Sequence, residues 1–203
     1  GTVADMKFVN KVVEYVHATP EQGITSHSNT IDWNSCEIAV ISDASFAGEM
    51  DENKESTRSQ GGRIIALISP DCEKNEDHNM HIIAWHSVIL RRVCRSTFQA
   101  ETYSLQQGIE EADRIRATMA EAHGKLVANN WEATAAEFKK VVWFTDCKSV
   151  EQALTKESGQ KYADKRLGIE LASMKQNLWR KPGEAVGDPS GEDTLPSETT
   201  DRV

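Results

Sequence analysis

Two apolar runs in this chain each close on an aspartate, and a glutamate sits in a capped helical segment between them. The first run is Glu37-Ile38-Ala39-Val40-Ile41-Ser42-Asp43, and the second is Val141-Val142-Trp143-Phe144-Thr145-Asp146. The glutamate is Glu101, within Ser96-Thr97-Phe98-Gln99-Ala100-Glu101-Thr102-Tyr103. A short β-branched and aromatic run ending in an acid reads as a buried strand that delivers a carboxylate to a sheet edge. Three carboxylates brought together make an all-oxygen site of the kind magnesium prefers, suited to phosphodiester chemistry. Without a cation such acids repel and raise one another's pKa values, so the ion belongs to the electrostatics of the site. Taken singly, each acid has an ordinary explanation. Asp43 and Asp146 fit strand ends or turns, and Glu101 fits a first-turn acid favoured by the helix dipole.

The elements that must position these acids follow from periodicity. Met6, Val9, Val13 and Val16 step by three and four, which predicts an amphipathic helix from Val3 to about His17. Thr19-Pro20-Glu21-Gln22-Gly23 stops it, and residues 24–36 are polar and read as a linker. After the strand to Asp43, Gly61–Ile68 and His81–His86 read as two more strands. No helix intervenes, so the three form an antiparallel meander. Ser96 and Gln99 make a capping box for a long helix carrying Phe98, Thr102, Leu105, Ile109, Ala112 and Met119. A loop from about Gly124 leads to the second acid-tipped strand. Ser149 with Gln152 opens a short helix, and Leu167, Leu171, Met174 and Leu178 mark another ending near Trp179. Trp85 and Trp143 read as core anchors, and His86 as a strand-end residue. A strand reached through a helical connection returns parallel to the first by a right-handed crossover, which would set Asp43 and Asp146 side by side at one carboxyl edge.

At 203 residues and 38% hydrophobic, the chain can bury one core. It has no run near the roughly 18 apolar residues of a membrane span, and its first residues lack the pattern of a signal peptide. A soluble intracellular protein is expected. Cys36, Cys72, Cys94 and Cys147 are scattered with no C-x-x-C pair, which argues against zinc and against a disulfide framework. The net charge of −9 argues against binding nucleic acid by bulk electrostatics. Residues 181–203 are acidic and rich in Pro, Gly and Ser, and are expected to be disordered. A local basic groove is left to Arg91, Arg92 and Arg95, with Lys148, Lys165 and Arg166 as weaker candidates for lining a phosphate backbone. Lone surface cations are more often simply solvated. Ser45, Ser96 and Thr97 are candidates for reading a 2′-hydroxyl, although capping explains Ser96 equally well.

Several of these segments resemble the ribonuclease H domain of copia-type retrotransposon polyproteins. Ser42-Asp43-Ala44-Ser45-Phe46-Ala47-Gly48 is similar to the family's T/S-D-A-D/S-x-A-G pattern, and Ser59-Gln60-Gly61-Gly62 to its S-T-S-G turn. Trp85-His86-Ser87 with Arg91-Arg92 resembles a W-K-S-K-K-Q strand end. Ser96-Thr97-Phe98-Gln99-Ala100-Glu101 is similar to S-S-T-E-A-E, and the stretch from Phe144 to Val150 to a C-D-N-Q-S-A turn. Asp164–Glu170 weakly resembles R-T-K-H-I-D-I. The segment from Asn10 to Gly23 looks like the end of the reverse transcriptase that precedes such domains.

The resemblance implies an α/β, ribonuclease H-like fold. Its mixed central sheet would combine the three-strand antiparallel meander with one parallel strand, flanked by helices, over residues 37–180. Residues 1–23 would be the reverse transcriptase tail helix and 24–36 a linker. It implies hydrolysis of the RNA strand of an RNA–DNA hybrid by two Mg2+ ions on Asp43, Glu101 and Asp146, with Asp43 bridging them and Mn2+ able to substitute. The implied partners are the hybrid and the reverse transcriptase domain of the same polyprotein, without a membrane, in a cytoplasmic or nuclear retroelement particle. One departure is serious: the family's final strand and helix-borne fourth acid, in an A-D-x-L-T-K motif, have no match here. Two alternatives follow, a structure-selective DNA nuclease or integrase-like strand transferase, and a truncated, non-catalytic remnant that binds nucleic acid or packs on a polymerase.

Overall fold

The first acid-tipped strand does not stop at its acid. In the computed structural model, which describes residues 2–24, 26, 30–50, 56–70, 72, 79–156 and 162–179, β1 runs Glu37–Met50 with Asp43 at its middle. It pairs antiparallel with β2 (Ser56–Ile68), placing Asp43 opposite Gly62. β2 pairs antiparallel with β3 (Met80–Ile89), and β4 (Val141–Thr145) joins the other side of β1 in parallel. The order is β3-β2-β1-β4, a mixed four-stranded sheet in an α/β chain, as the sequence leads one to expect. Beyond Asp43 the chain is a paired ribbon whose backbone groups satisfy one another, so it needs no apolar alternation and gives none. The register shifts between Ser45 and Glu49, where Ala47 takes φ 51° and its N–H donates to Ser59 Oγ at 3.1 Å. That is a bulge.

Helix α2 (Thr97–Ala122) lies across β1 and β2. Ile38, Val40, Ile65 and Leu67 from the strands meet Leu105, Ile109 and Ala112 from the helix in one core, each large side chain contributing about 1.5–3 kcal/mol of burial. Gly108 makes the approach possible, because a Cβ there would stand 2.6 Å from Val40 Cγ1. Helices α4 (Lys148–Thr155) and α5 (Lys165–Trp179) add Val150, Leu154, Leu171 and Met174 to the same core. Ser96 caps α2 as expected, its Oγ accepting the Gln99 N–H at 3.2 Å. The Gln99 side-chain Oε1 reaches one residue further back and accepts the Arg95 N–H at 2.8 Å.

Three expectations need correcting. The loop expected after Gly124 contains a 3-10 turn at Ala128–Asn130 and a helix, α3 (Trp131–Phe138), which buries only Ala133 and Ala135 and so shows no large apolar stripe. Helix α4 begins before Ser149: its N-cap is Cys147, without a side-chain cap, and Ser149 Oγ lies 3.2 Å from Cys147 Sγ. Trp85 is no core anchor, being 63% exposed, whereas Trp143 does pack against the core. Periodicity cannot tell which face of a sheet is covered, and Trp85 shares a face with Asp43 rather than with the residues under α2.

The first helix, α1 (Val3–Ala18), forms as expected and buries no residue. The end of the polar segment before β1 is fastened to the domain. Cys36 is buried, Trp33 stacks on His123 with centroids 5.4 Å apart, and the buried Lys139 donates its Nζ to the carbonyls of Trp33 and Asn34. The four cysteines are free thiols. Among the described residues no helix is long and apolar enough to cross a membrane. The expectation for residues 181–203 lies outside the described residues.

Candidate metal centre

The three acids converge. Parallel pairing sets Ser42 opposite Thr145, so the next residues, Asp43 on β1 and Asp146 just past β4, extend from adjacent strands at one level. Glu101 comes from the first turns of α2, which passes over β1. Each of Asp43, Glu101 and Asp146 offers a carboxylate oxygen, and these oxygens all lie within 4.8 Å of one another.

Their environments differ, and the difference is chemical. Asp43 and Asp146 are exposed, whereas Glu101 is only 5% exposed. Asp43 Oδ1 accepts the N–H of Ala44 at 2.8 Å. Glu101 leans on the same N–H, yet its Oε2 is buried with no hydrogen-bond partner among the described residues. Burial, reinforced by the neighbouring charges of Asp43 and Asp146 and opposed by the Ala44 N–H, pushes the Glu101 carboxyl up to about 7. A buried carboxylate with one unpaired oxygen, grouped with two exposed carboxylates, is costly without a positive partner. An all-oxygen donor set of this size fits a hard divalent cation, so the group can hold a metal ion.

No protein-family model, curated protein or solved structure matches this chain. The reading of the site therefore rests on its geometry and on the sequence.

The candidate substrate-contacting residues are scattered more widely than the acids. Ser45 is exposed on the ribbon, opposite Gln60. Arg91 and Arg95 are exposed just before α2, and Thr97 is exposed at its first position. Ser96 Oγ is occupied as a cap. Arg92 is tied down: its Nη1 donates to Glu170 Oε1 at 2.8 Å and its guanidinium lies 5.1 Å from the Tyr103 ring centroid. Lys148 stands exposed at the start of α4, two residues from Asp146, and Lys165 and Arg166 are exposed at the start of α5.

Two residues outside the candidate site set help to build the site. Ser104 donates its hydroxyl to the carbonyls of Asp43 (2.9 Å) and Gly62 (3.1 Å), pinning α2 to both strands beside the acids. Gly61 leaves room for it, since a Cβ there would come within 3.1 Å of Ser104 Oγ and 2.8 Å of Leu90 Cδ2. Helical spacing offered a signal for Ser104, which stands three residues after Glu101 and so shares its face.

Proposed function

We propose that this domain is a metal-dependent endonuclease of the ribonuclease H type, hydrolysing the RNA strand of an RNA–DNA hybrid. The observation that carries the reading is the convergence of Asp43, Glu101 and Asp146 with a buried, unpaired Glu101 oxygen. The mixed sheet with its acid-bearing neighbouring strands, and the order of the motifs along the chain, support it further. Asp43, Glu101 and Asp146 would hold the metal. Bound Mg2+ would supply Lewis-acid activation of water and charge stabilisation at the leaving oxygen. The protein's own part is positioning: Ser104 fixes the Asp43 backbone, the Ala44 N–H orients Asp43, and burial keeps Glu101 ready to exchange a proton for a cation. Arg91, Arg95 and Lys148 are exposed cations close in sequence to the acids and would meet phosphates.

A second reading, a domain that binds the hybrid without cleaving it, draws on the lack of any match in the sequence to the helix-borne fourth acid of the ribonuclease H pattern. One experiment separates the two. A labelled RNA–DNA duplex is incubated with the protein in Mg2+, in Mn2+ and in chelator, alongside Asp43→Asn. Metal-dependent cleavage of the RNA strand, lost in Asp43→Asn with duplex binding retained, supports the nuclease. Binding without cleavage under every metal condition supports the second reading and ends the first.

A further inference from the structure

The sheet face that Asp43 shares carries an apolar groove of about 450 Å3, bordered by Ile24, Ile41, Gly62, Ile64, Ile82 and Trp85, with Asp43 at one end. Elsewhere in the chain α1 presents large apolar side chains to solvent, and none of its residues is buried. At 3.6 residues per turn Phe8, Val12, Val16, Val9, Val13 and Met6 share an arc of roughly 160°, which Asp5 enters only in the first turn, where it is engaged in the Thr2 capping box. Lys7, Lys11 and Glu14 lie outside that arc.

Its sequence gives this helix little stability of its own. Val3, Val9, Val12, Val13 and Val16 are β-branched and disfavour helix. An isolated helix of this length is marginal in water even when alanine-rich. Its apolar arc therefore needs a surface to pack on, and the tether points to one. Thr19 N–H bonds Tyr15 O at 3.0 Å, Gln22 N–H bonds Thr19 O at 3.0 Å, and Tyr15 OH donates to Gln22 Oε1 at 2.8 Å, so α1 and the turn after it form one unit. Gly23 comes next, where an added Cβ would meet nothing within 4 Å. Ile24, one residue later, already forms a wall of the groove.

We propose that α1 closes over the groove of its own chain, as a strap hinged at Gly23, with its valine face against Ile41, Ile64, Ile82 and Trp85. A tether this short raises the effective concentration of the helix at the groove far above that of a second copy. The apolar walls suit valines, and the basic side chains at the border, Arg63 and His86, are both held by Glu111. Closure covers the sheet's second face and completes a helix–sheet–helix sandwich. The groove touches the candidate metal centre at Asp43, and closure is read at α1 and Trp85 rather than by cleavage.

The test uses the full chain and its Val9→Asp/Val13→Asp variant, with Trp85→Phe of each to isolate the Trp85 emission. In the open arrangement both aspartates would sit in solvent, where they loosen the helix but leave the emission and quenching of Trp85 unchanged. A closed strap shields Trp85 from acrylamide in the wild type, and the double variant raises that quenching and shifts the emission to the red. Hydrogen exchange supplies a second reading, with slow α1 amides in the wild type becoming fast in the variant. Equal quenching in both proteins together with fast α1 exchange overturns the strap. Protection that vanishes on dilution as a dimer dissociates, followed by sedimentation, also overturns it and assigns the groove to a second copy.

Discussion

The hydroxyl of Ser104 donates to the main-chain carbonyls of Asp43 at 2.9 Å and Gly62 at 3.1 Å, so one side chain on α2 holds two strands at the height of the acid cluster. Glu101 sits one turn earlier on the same helix, and any loosening of this contact moves one carboxylate relative to another. Ser104→Ala should cost about 1–2 kcal/mol of stability by removing a buried donor. It should also weaken Mn2+ binding, as followed by paramagnetic relaxation. Unchanged Mn2+ affinity at lowered stability would reduce Ser104 to a packing residue.

Glu101 sets a pH dependence whose sign can be worked out. Its folded-state pKa stands at about 7, above the ordinary 4.5, chiefly through burial. A carboxyl raised on folding contributes stability that is complete below the unfolded value and is lost as pH rises through the folded one. In chelator the wild type should therefore lose stability relative to Glu101→Gln between about pH 4.5 and 7.5, by at most roughly 3 kcal/mol. The variant should be the more stable of the two at pH 8 and close to the wild type at pH 5. Mg2+ should reverse the order at pH 8, because only the wild type gains binding energy. Denaturant melts at the two pH values, with and without Mg2+, decide this, and parallel curves in chelator would place Glu101 in an unperturbed environment.

The parts of the fold legible in the sequence are those where burial imposes a period. Ile38 and Val40 of β1, the stripe of α2 and the α5 positions Leu167, Leu171 and Met174 reach the core as their spacing predicts, and Val141 and Trp143 of β4 pack against it. The meeting of Asp43 with Asp146 was legible for the same reason, since one parallel register fixes both. What the sequence hid is structure held by hydrogen bonds or by small residues. The β1–β2 ribbon past Ser45 is paired without a core, and α3 buries two alanines that leave no stripe. Trp85 is hidden in another way: its residue type is that of a core anchor, and only the arrangement of layers exposes it.

Two glycines should separate stability from site geometry. At Gly108 an added methyl would meet Val40 Cγ1 at 2.6 Å, inside the packed seam between α2 and β1. Gly108→Ala should cost about 1–3 kcal/mol through overpacking. At Gly61 the obstructing atoms are Leu90 Cδ2 at 2.8 Å and Ser104 Oγ at 3.1 Å, both ends of side chains that can yield. Gly61→Ala should cost less stability than Gly108→Ala yet weaken metal binding more, by pushing Ser104 off the Asp43 carbonyl. Thermal melts and Mn2+ titrations on both variants test the contrast, and the same ranking in both assays would break the link between Ser104 and the acids.

Arg92 and Arg95 are three residues apart and should behave in opposite ways. Arg92 is held by Glu170, which raises its pKa, and by Tyr103, while Gln99 reaches Asp164 at 2.9 Å beside it, so these contacts join α2 to the start of α5. Removing its partly exposed side chain should cost about 1 kcal/mol of stability at most and leave the affinity for a hybrid unchanged. Arg95 is exposed, with its guanidinium near Asp164, and hydrogen-bonds α2 through its backbone N–H, which alanine keeps. Arg95→Ala should stay within about 0.5 kcal/mol of wild-type stability, bind a hybrid more weakly, and lower the slope of log affinity against log salt by about 1. The measurement is fluorescence anisotropy of a labelled RNA–DNA duplex across a salt series in an Asp43→Asn background, where cleavage does not intrude. A salt slope that falls for Arg92→Ala and not for Arg95→Ala would mean that the Glu170 pair opens on binding and that Arg92 is the phosphate contact.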